Sequence, residues 1–173
     1  KPLVGAVVAG AATVAAVPVA TAAPGGQTVE GASTSASDMT LPGDGSDDLL
    51  YGRPEAHAAR NLWEVGVEAL RRAVRDGAFN SDWSFHAIGT TGPGGRIDLG
   101  EGRTLELMSR TSQSAYAELL PGYDLGVALM EAPHPSLVPI EMASAGMPTV
   151  TTTWGRSKTA EAVAGISPNL IAV

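Results

Sequence analysis

The sequence predicts an α/β domain in which a parallel sheet carries helices on both faces. Three observations lead there. Short apolar, strand-like runs alternate with helix-like runs from Asp48 to the end of the chain. The connections between them are brief and rich in Gly and Pro. Hydrophobic residues make up 44% of the 173 residues and charged residues 17%, so a core can be buried. Parallel strands need connections long enough to hold a helix, and this alternation supplies them.

The chain opens with Lys1 and an apolar, Ala/Val/Gly-rich stretch from Leu3 to Ala23. Residues 3–22 read first as an Ala-rich low-complexity leader, with a secretory signal, cleaved at the small-residue site Ala20-Thr21-Ala22, as the minority reading. Pro18 and the short span make it a poor membrane helix. Residues from Pro24 to Asp48 are dominated by Gly, Ser, Thr, Asp and Pro and include no aromatic ring. Such a segment buries too little apolar surface to offset its ordering entropy, so a flexible linker is expected. The expected organisation is a disordered or low-complexity leader over 1–47 and one domain over 48–173, truncated at its C-terminal end.

"DLLYGRP" (Asp48–Pro54) reads as a short strand closed by Gly-Arg-Pro. "RNLWEVGVEALRRAVRDG" (Arg60–Gly77) reads as a helix with Leu62, Val65, Ala69 and Val74 on its apolar face. Glu68 and Arg72 stand four apart in the favourable order. Arginines gather near its end, and Gly77 can terminate it. "WSFHAIG" (Trp83–Gly89) alternates like a strand and leads into a Gly-rich loop, Gly89 to Gly95. "TLELMS" (Thr104–Ser109) is the next strand. "TSQSAYAELLPG" (Thr111–Gly122) is a helix with Ser112 as N-cap and Pro121-Gly122 as stop. "YDLGVALM" (Tyr123–Met130) is a buried strand, followed by a helix around Pro139–Ala145 that Gly146 closes. Strand Thr149–Thr153, helix Ser157–Gly165 and strand Asn169–Val173 complete the series. The whole is a Rossmann-like domain, with its ligand edge at the C-terminal ends of the strands.

Composition and motifs exclude several functions. The net charge of −7 argues against a general nucleic-acid binder. The absence of Cys removes disulfides and thiolate metal sites. His57, His86 and His134 have no metal-ligand spacing, so no metal is expected. No Gly-x-Gly-x-x-Gly follows the first strand and no P-loop is present, which argues against dinucleotide dehydrogenases and NTPases. No His stands where it would activate a Ser.

The remaining polar residues cluster at expected strand ends. Arg53 ends the first strand and Arg60 opens the first helix. Guanidinium forks bind phosphate in a bidentate way, and helix N-termini favour anions. Their alternative is surface pairing with Glu55 or Glu64. Glu141 interrupts the apolar helix "PIEMASAG", where a carboxylate can accept both hydroxyls of a ribose; its alternative is a helix-surface Glu, and Glu131 reads similarly. His134 can donate to a sugar hydroxyl or a phosphate, or be structural. Ser136 can cap the following helix, donate to phosphate, or both.

The order of these pieces resembles the C-terminal, donor-binding domain of a GT-B retaining glycosyltransferase. "YGRP…RN…E" (Tyr51 to Glu64), "SAYAELLPGYDLGVALM", "PHPSLVPIEMASAGMPTVTTT" and "SKTAEAVAGISPNLIAV" are similar to the branch that includes bacterial rhamnosyltransferases of surface polysaccharide synthesis. The likeness runs from about Leu49 to Val173. It implies one half of a two-domain GT-B fold and transfer of a sugar, with rhamnose as one choice, from a nucleoside-diphosphate sugar. Configuration would be retained and the acceptor would be a glycan or lipid-linked. It implies Arg53 and Arg60 at the diphosphate and Glu141 at the nucleotide ribose. Where the family's Glu-x7-Glu motif has its first Glu, this chain has Pro133, so His134 and Ser136 would take over contacts to donor sugar or phosphate. No Asp-x-Asp triplet is present, which agrees with metal-independent chemistry. No cofactor is implied, since the sugar nucleotide is a substrate.

The family also carries an N-terminal acceptor domain, for which Lys1–Asp48 offers no counterpart, so this piece is expected to bind nucleotide with little or no transfer. The donor implies a cytoplasmic location, with or without membrane association. Two other functions fit the residues: a non-catalytic nucleotide-sugar binding module, and an exported α/β binding protein using residues 3–22 as a signal.

Overall fold

The computed structural model describes residues 46–109 and 111–173. The expected leader, signal and linker fall outside the described residues, apart from Ser46 and from Asp47 and Asp48, which lie in the first strand. The strands are β1 (Asp47–Tyr51), β2 (Ser84–Ile88), β3 (Gly95–Gly100), β4 (Arg103–Leu107), β5 (Leu125–Ala128), β6 (Thr149–Thr151) and β7 (Leu170–Ala172). The α-helices are α1 (Trp63–Arg75), α2 (Gln113–Leu119), α3 (Leu137–Ser144) and α4 (Ala160–Ala164).

They form one sheet in the order β3-β4-β2-β1-β5-β6-β7. Every pairing is parallel except β3 with β4. This is the expected Rossmann-like α/β class. Of these strands β1 lies in the middle; the chain winds outward through β2 to the β3–β4 edge, then returns to the other side of β1 with β5. Tyr51 therefore lies level with Ala128 across the point where the winding reverses. In open α/β sheets the ligand crevice lies at such a reversal, above the strand ends.

The alternation of side chains along β1 divides the core. Leu50 faces α1 and joins Phe85, Leu105, Val127, Trp63, Val67 and Leu70 in one cluster. Leu49 faces the opposite side with Ile88, Ala128, Met142 and Met147, toward α3. Gly52 leaves room for the Trp63 ring, which a Cβ there would strike.

Four local expectations change. The helix expected from Arg60 breaks in two: a 3-10 helix covers Ala56–Asn61, Leu62 adopts a left-handed conformation (φ 50°), and α1 starts at Trp63. A tertiary bond competes here, because the Arg60 carbonyl accepts from Glu131 N–H at 2.8 Å. The segment after the Gly-rich loop forms β3, an antiparallel edge strand, so the sheet is not wholly parallel. Arg72 pairs with Asp76 at 2.5 Å, while Glu68 faces Arg71 at 3.8 Å. The last helix starts at Ala160 and not at Ser157, after the N-cap Thr159, whose side chain accepts from Ala162 N–H. Ser112 caps α2 as expected, and Gly146 takes the positive φ (95°) that ends α3.

Candidate functional site

The crevice is built from two segments. One leaves β1 as Gly52-Arg53-Pro54-Glu55 and continues into the 3-10 helix. The other leaves β5 and runs through Glu131–Ser136 into α3. The bond from Glu131 N–H to the Arg60 carbonyl ties them together. All five residues singled out from the sequence lie on these two segments or in the helix that follows the second.

Arg53 is half-buried and already engaged. Its Nε lies 3.4 Å from Glu55 Oε2, and its Nη2 donates to His57 Nε2 at 3.0 Å. Because guanidinium only donates, His57 Nε2 must accept, which places any proton of the neutral ring on Nδ1. Glu55 Oε1 accepts from Thr91 N–H (2.5 Å), Thr91 Oγ1 (2.7 Å) and Thr90 Oγ1 (3.2 Å). The Thr91 amide foremost, then the Thr91 hydroxyl, pulls the Glu55 carboxyl down from 4.5 to about 2. The pairing of Arg53 with Glu55, one of the two surface alternatives read from the sequence, is thus present. The other N–H groups of Arg53 have no partner among the described residues.

Arg60 is exposed in the last turn of the 3-10 helix. Glu141 is half-buried in the second turn of α3. It stands near Tyr116, whose hydroxyl is raised above the usual range by burial first, then by Glu141 and Tyr51. His134 is exposed, and its Nδ1 donates to the Pro135 carbonyl at 3.1 Å. Ser136 occupies the N-cap position of α3 with extended backbone, but its side chain makes no capping bond.

Sequence reasoning missed Glu55, Thr90 and Thr91 as a unit, and it missed Lys158. The Lys158 side chain is buried beside the end of β6, with Nζ 3.4 Å from Thr151 Oγ1, and burial lowers its pKa. Next to it, Ser157 Oγ donates to the Pro133 carbonyl at 2.9 Å. No local signal marks these contacts, since each spans many residues. A groove of about 510 Å³ along Trp83, His86, Arg103 and Glu106 lies at the starts of β2 and β4, away from the crevice. Among the described residues no helix is long and apolar enough to cross a membrane.

A doubly wound sheet with polar segments over its switch point defines an α/β domain of the nucleotide-binding kind. A family model described as "WsaF, C-terminal domain" matches residues 48–173. The chain belongs to this family, C-terminal domains of GT-B glycosyltransferases linked to rhamnosyltransferases. At that level it is a glycosyltransferase donor-binding domain, which works with a nucleotide-sugar donor and an acceptor. No curated protein matches the chain.

Proposed function

We propose that this domain holds a nucleoside-diphosphate sugar in the β1/β5 crevice for retaining transfer to a glycan or lipid-linked acceptor, with rhamnose as the candidate sugar. The observation that carries this reading is the half-buried Arg53 at the switch point, held by Glu55 and His57 with donors to spare. Arg53 and Arg60 bind the diphosphate. As the glycosidic bond breaks, negative charge grows on the leaving nucleoside diphosphate, and fixed guanidinium donors stabilise that charge more than they stabilise the ground state. Glu141 accepts the ribose hydroxyls. His134 and Ser136, on the loop into α3, contact the donor sugar or its phosphate in place of the family's first Glu.

Titration calorimetry against UDP, GDP and dTDP, each with matched sugar nucleotides, tests the reading. One base is expected to bind, and Arg53→Ala to weaken it about tenfold or more, the scale of a lost hydrogen bond to a charged group. The melting temperature should move little. Equal affinity in the variant, or silence with all three nucleotides, would reject the assignment.

A further inference from the structure

Glu55 carries no role in the reaction above, yet its surroundings are unusually specific for a loop carboxylate. One oxygen collects three donors from Thr90 and Thr91. The other faces Arg53 Nε at 3.4 Å as an ion pair without a hydrogen bond, and both atoms of that pair are shielded from solvent. An ordinary surface ion pair holds neither side chain in one place. Here the acid is pinned by a backbone amide before it meets the base, so it acts as a fixed post. It joins two loops that are far apart in sequence, the one after β1 and the Gly-rich one after β2.

We propose that Glu55 is a positioning residue for the diphosphate end of the nucleotide, setting the direction of the Arg53 guanidinium and locking it to the Thr90–Thr91 turn. The proposal rests on the nucleotide reading above. An arginine side chain has several rotatable bonds whose freedom is lost when it is fixed. His57 holds one of its donors by a hydrogen bond and the Glu55 carboxylate pairs with the Nε side by charge, so the remaining edge of the fork is aimed before ligand arrives. Preorganised donors lose no further freedom on binding.

Simple electrostatics and positioning predict opposite results. Removing a negative charge near an anion site should tighten binding if Glu55 only competes for Arg53. If Glu55 aims Arg53, binding should weaken. The test uses the full chain with UDP, GDP and dTDP as probes. Glu55→Gln keeps an acceptor for the Thr91 amide and should fold; it is expected to lose about tenfold in affinity for the nucleotide that binds. Glu55→Asp keeps the charge but withdraws it by one methylene, and should lose affinity as well. In an Arg53→Ala background, Glu55→Gln should cost nothing further. Unchanged or tighter binding by Glu55→Gln, or losses that simply add in the double variant, would overturn the proposal.

A ligand-free readout separates this claim from the nucleotide reading. The Arg53 Nε–H resonance in the NMR spectrum should be distinct in the wild-type chain and should broaden or shift toward free arginine in Glu55→Gln. Should the wild-type chain bind none of the probes, the nucleotide reading falls. The Arg53 resonance then still decides the positioning claim: a change supports it, and an unaltered signal rejects it.

Discussion

At the residue scale, two carboxyls respond to pH in opposite directions. Glu55 is drawn down from 4.5 to about 2, chiefly by the Thr91 amide. Its contribution to stability is therefore present above about 4.5 and is lost as pH falls toward 2. Acid unfolding of Glu55→Gln followed by circular dichroism should show a flatter limb through that window. Asp48 behaves inversely. Both its oxygens are buried without a hydrogen-bond partner among the described residues, and burial raises its pKa. The protonated form suits the fold, so its contribution is full below the ordinary value of 3.8 and is lost as pH rises through the raised one. Asp48→Asn removes the ionisation. Its melting temperature should exceed wild type at pH 8, with the gap closing toward pH 4; the gain is about 1.4 kcal/mol for each unit of upward shift. A gap that stays constant with pH would contradict this account. Neither response was legible in "DDLLYGRPE", because burial and the Thr91 contacts come from distant segments.

At the element scale, strands and caps were readable and breaks were not. Ser112 and Gly146 act through neighbours a few residues away, and both took the roles their chemistry suggests. The first helix misled, since Leu62 and Val65 continue its apolar periodicity. Its start was decided by Glu131, seventy-one positions after Arg60 in the numbering, through one backbone bond. β3 was missed although Arg96-Ile97-Asp98-Leu99 alternates, because only two apolar residues between flanking glycines carry the signal at a sheet edge. The junction of β1 with α1 offers a sharp test. A methyl group at position 52 would strike the Trp63 ring, which is part of the core. Gly52→Ala should cost about 1–3 kcal/mol, as overpacking does. A lowered denaturant midpoint with an unchanged slope is the expected result.

At the scale of the whole molecule, the return of the chain to β5 beside β1 makes the crevice. It brings the Arg53 loop and the Glu131–Ser136 loop to one edge of the sheet. A sugar transfer also needs an acceptor held opposite the donor, and the described residues provide one wall. We therefore expect the chain to bind nucleotide and to transfer little or no sugar alone. Supplying a second Rossmann-like, acceptor-binding domain, fused or in trans, should restore product formation measured by mass spectrometry. Robust transfer by the isolated chain would show that the second wall is not required.

Local chemistry alone determined which stretches became the buried strands, where two helices are capped, and which polar residues stand at strand ends. These features depend on period, turn residues and neighbours within a few positions, all written along the chain. Only the tertiary structure decided the strand order, the break before Trp63 and the pinning of Glu55 by Thr90 and Thr91. Each of these rests on contacts between segments far apart in the chain, and no short window of sequence contains both partners.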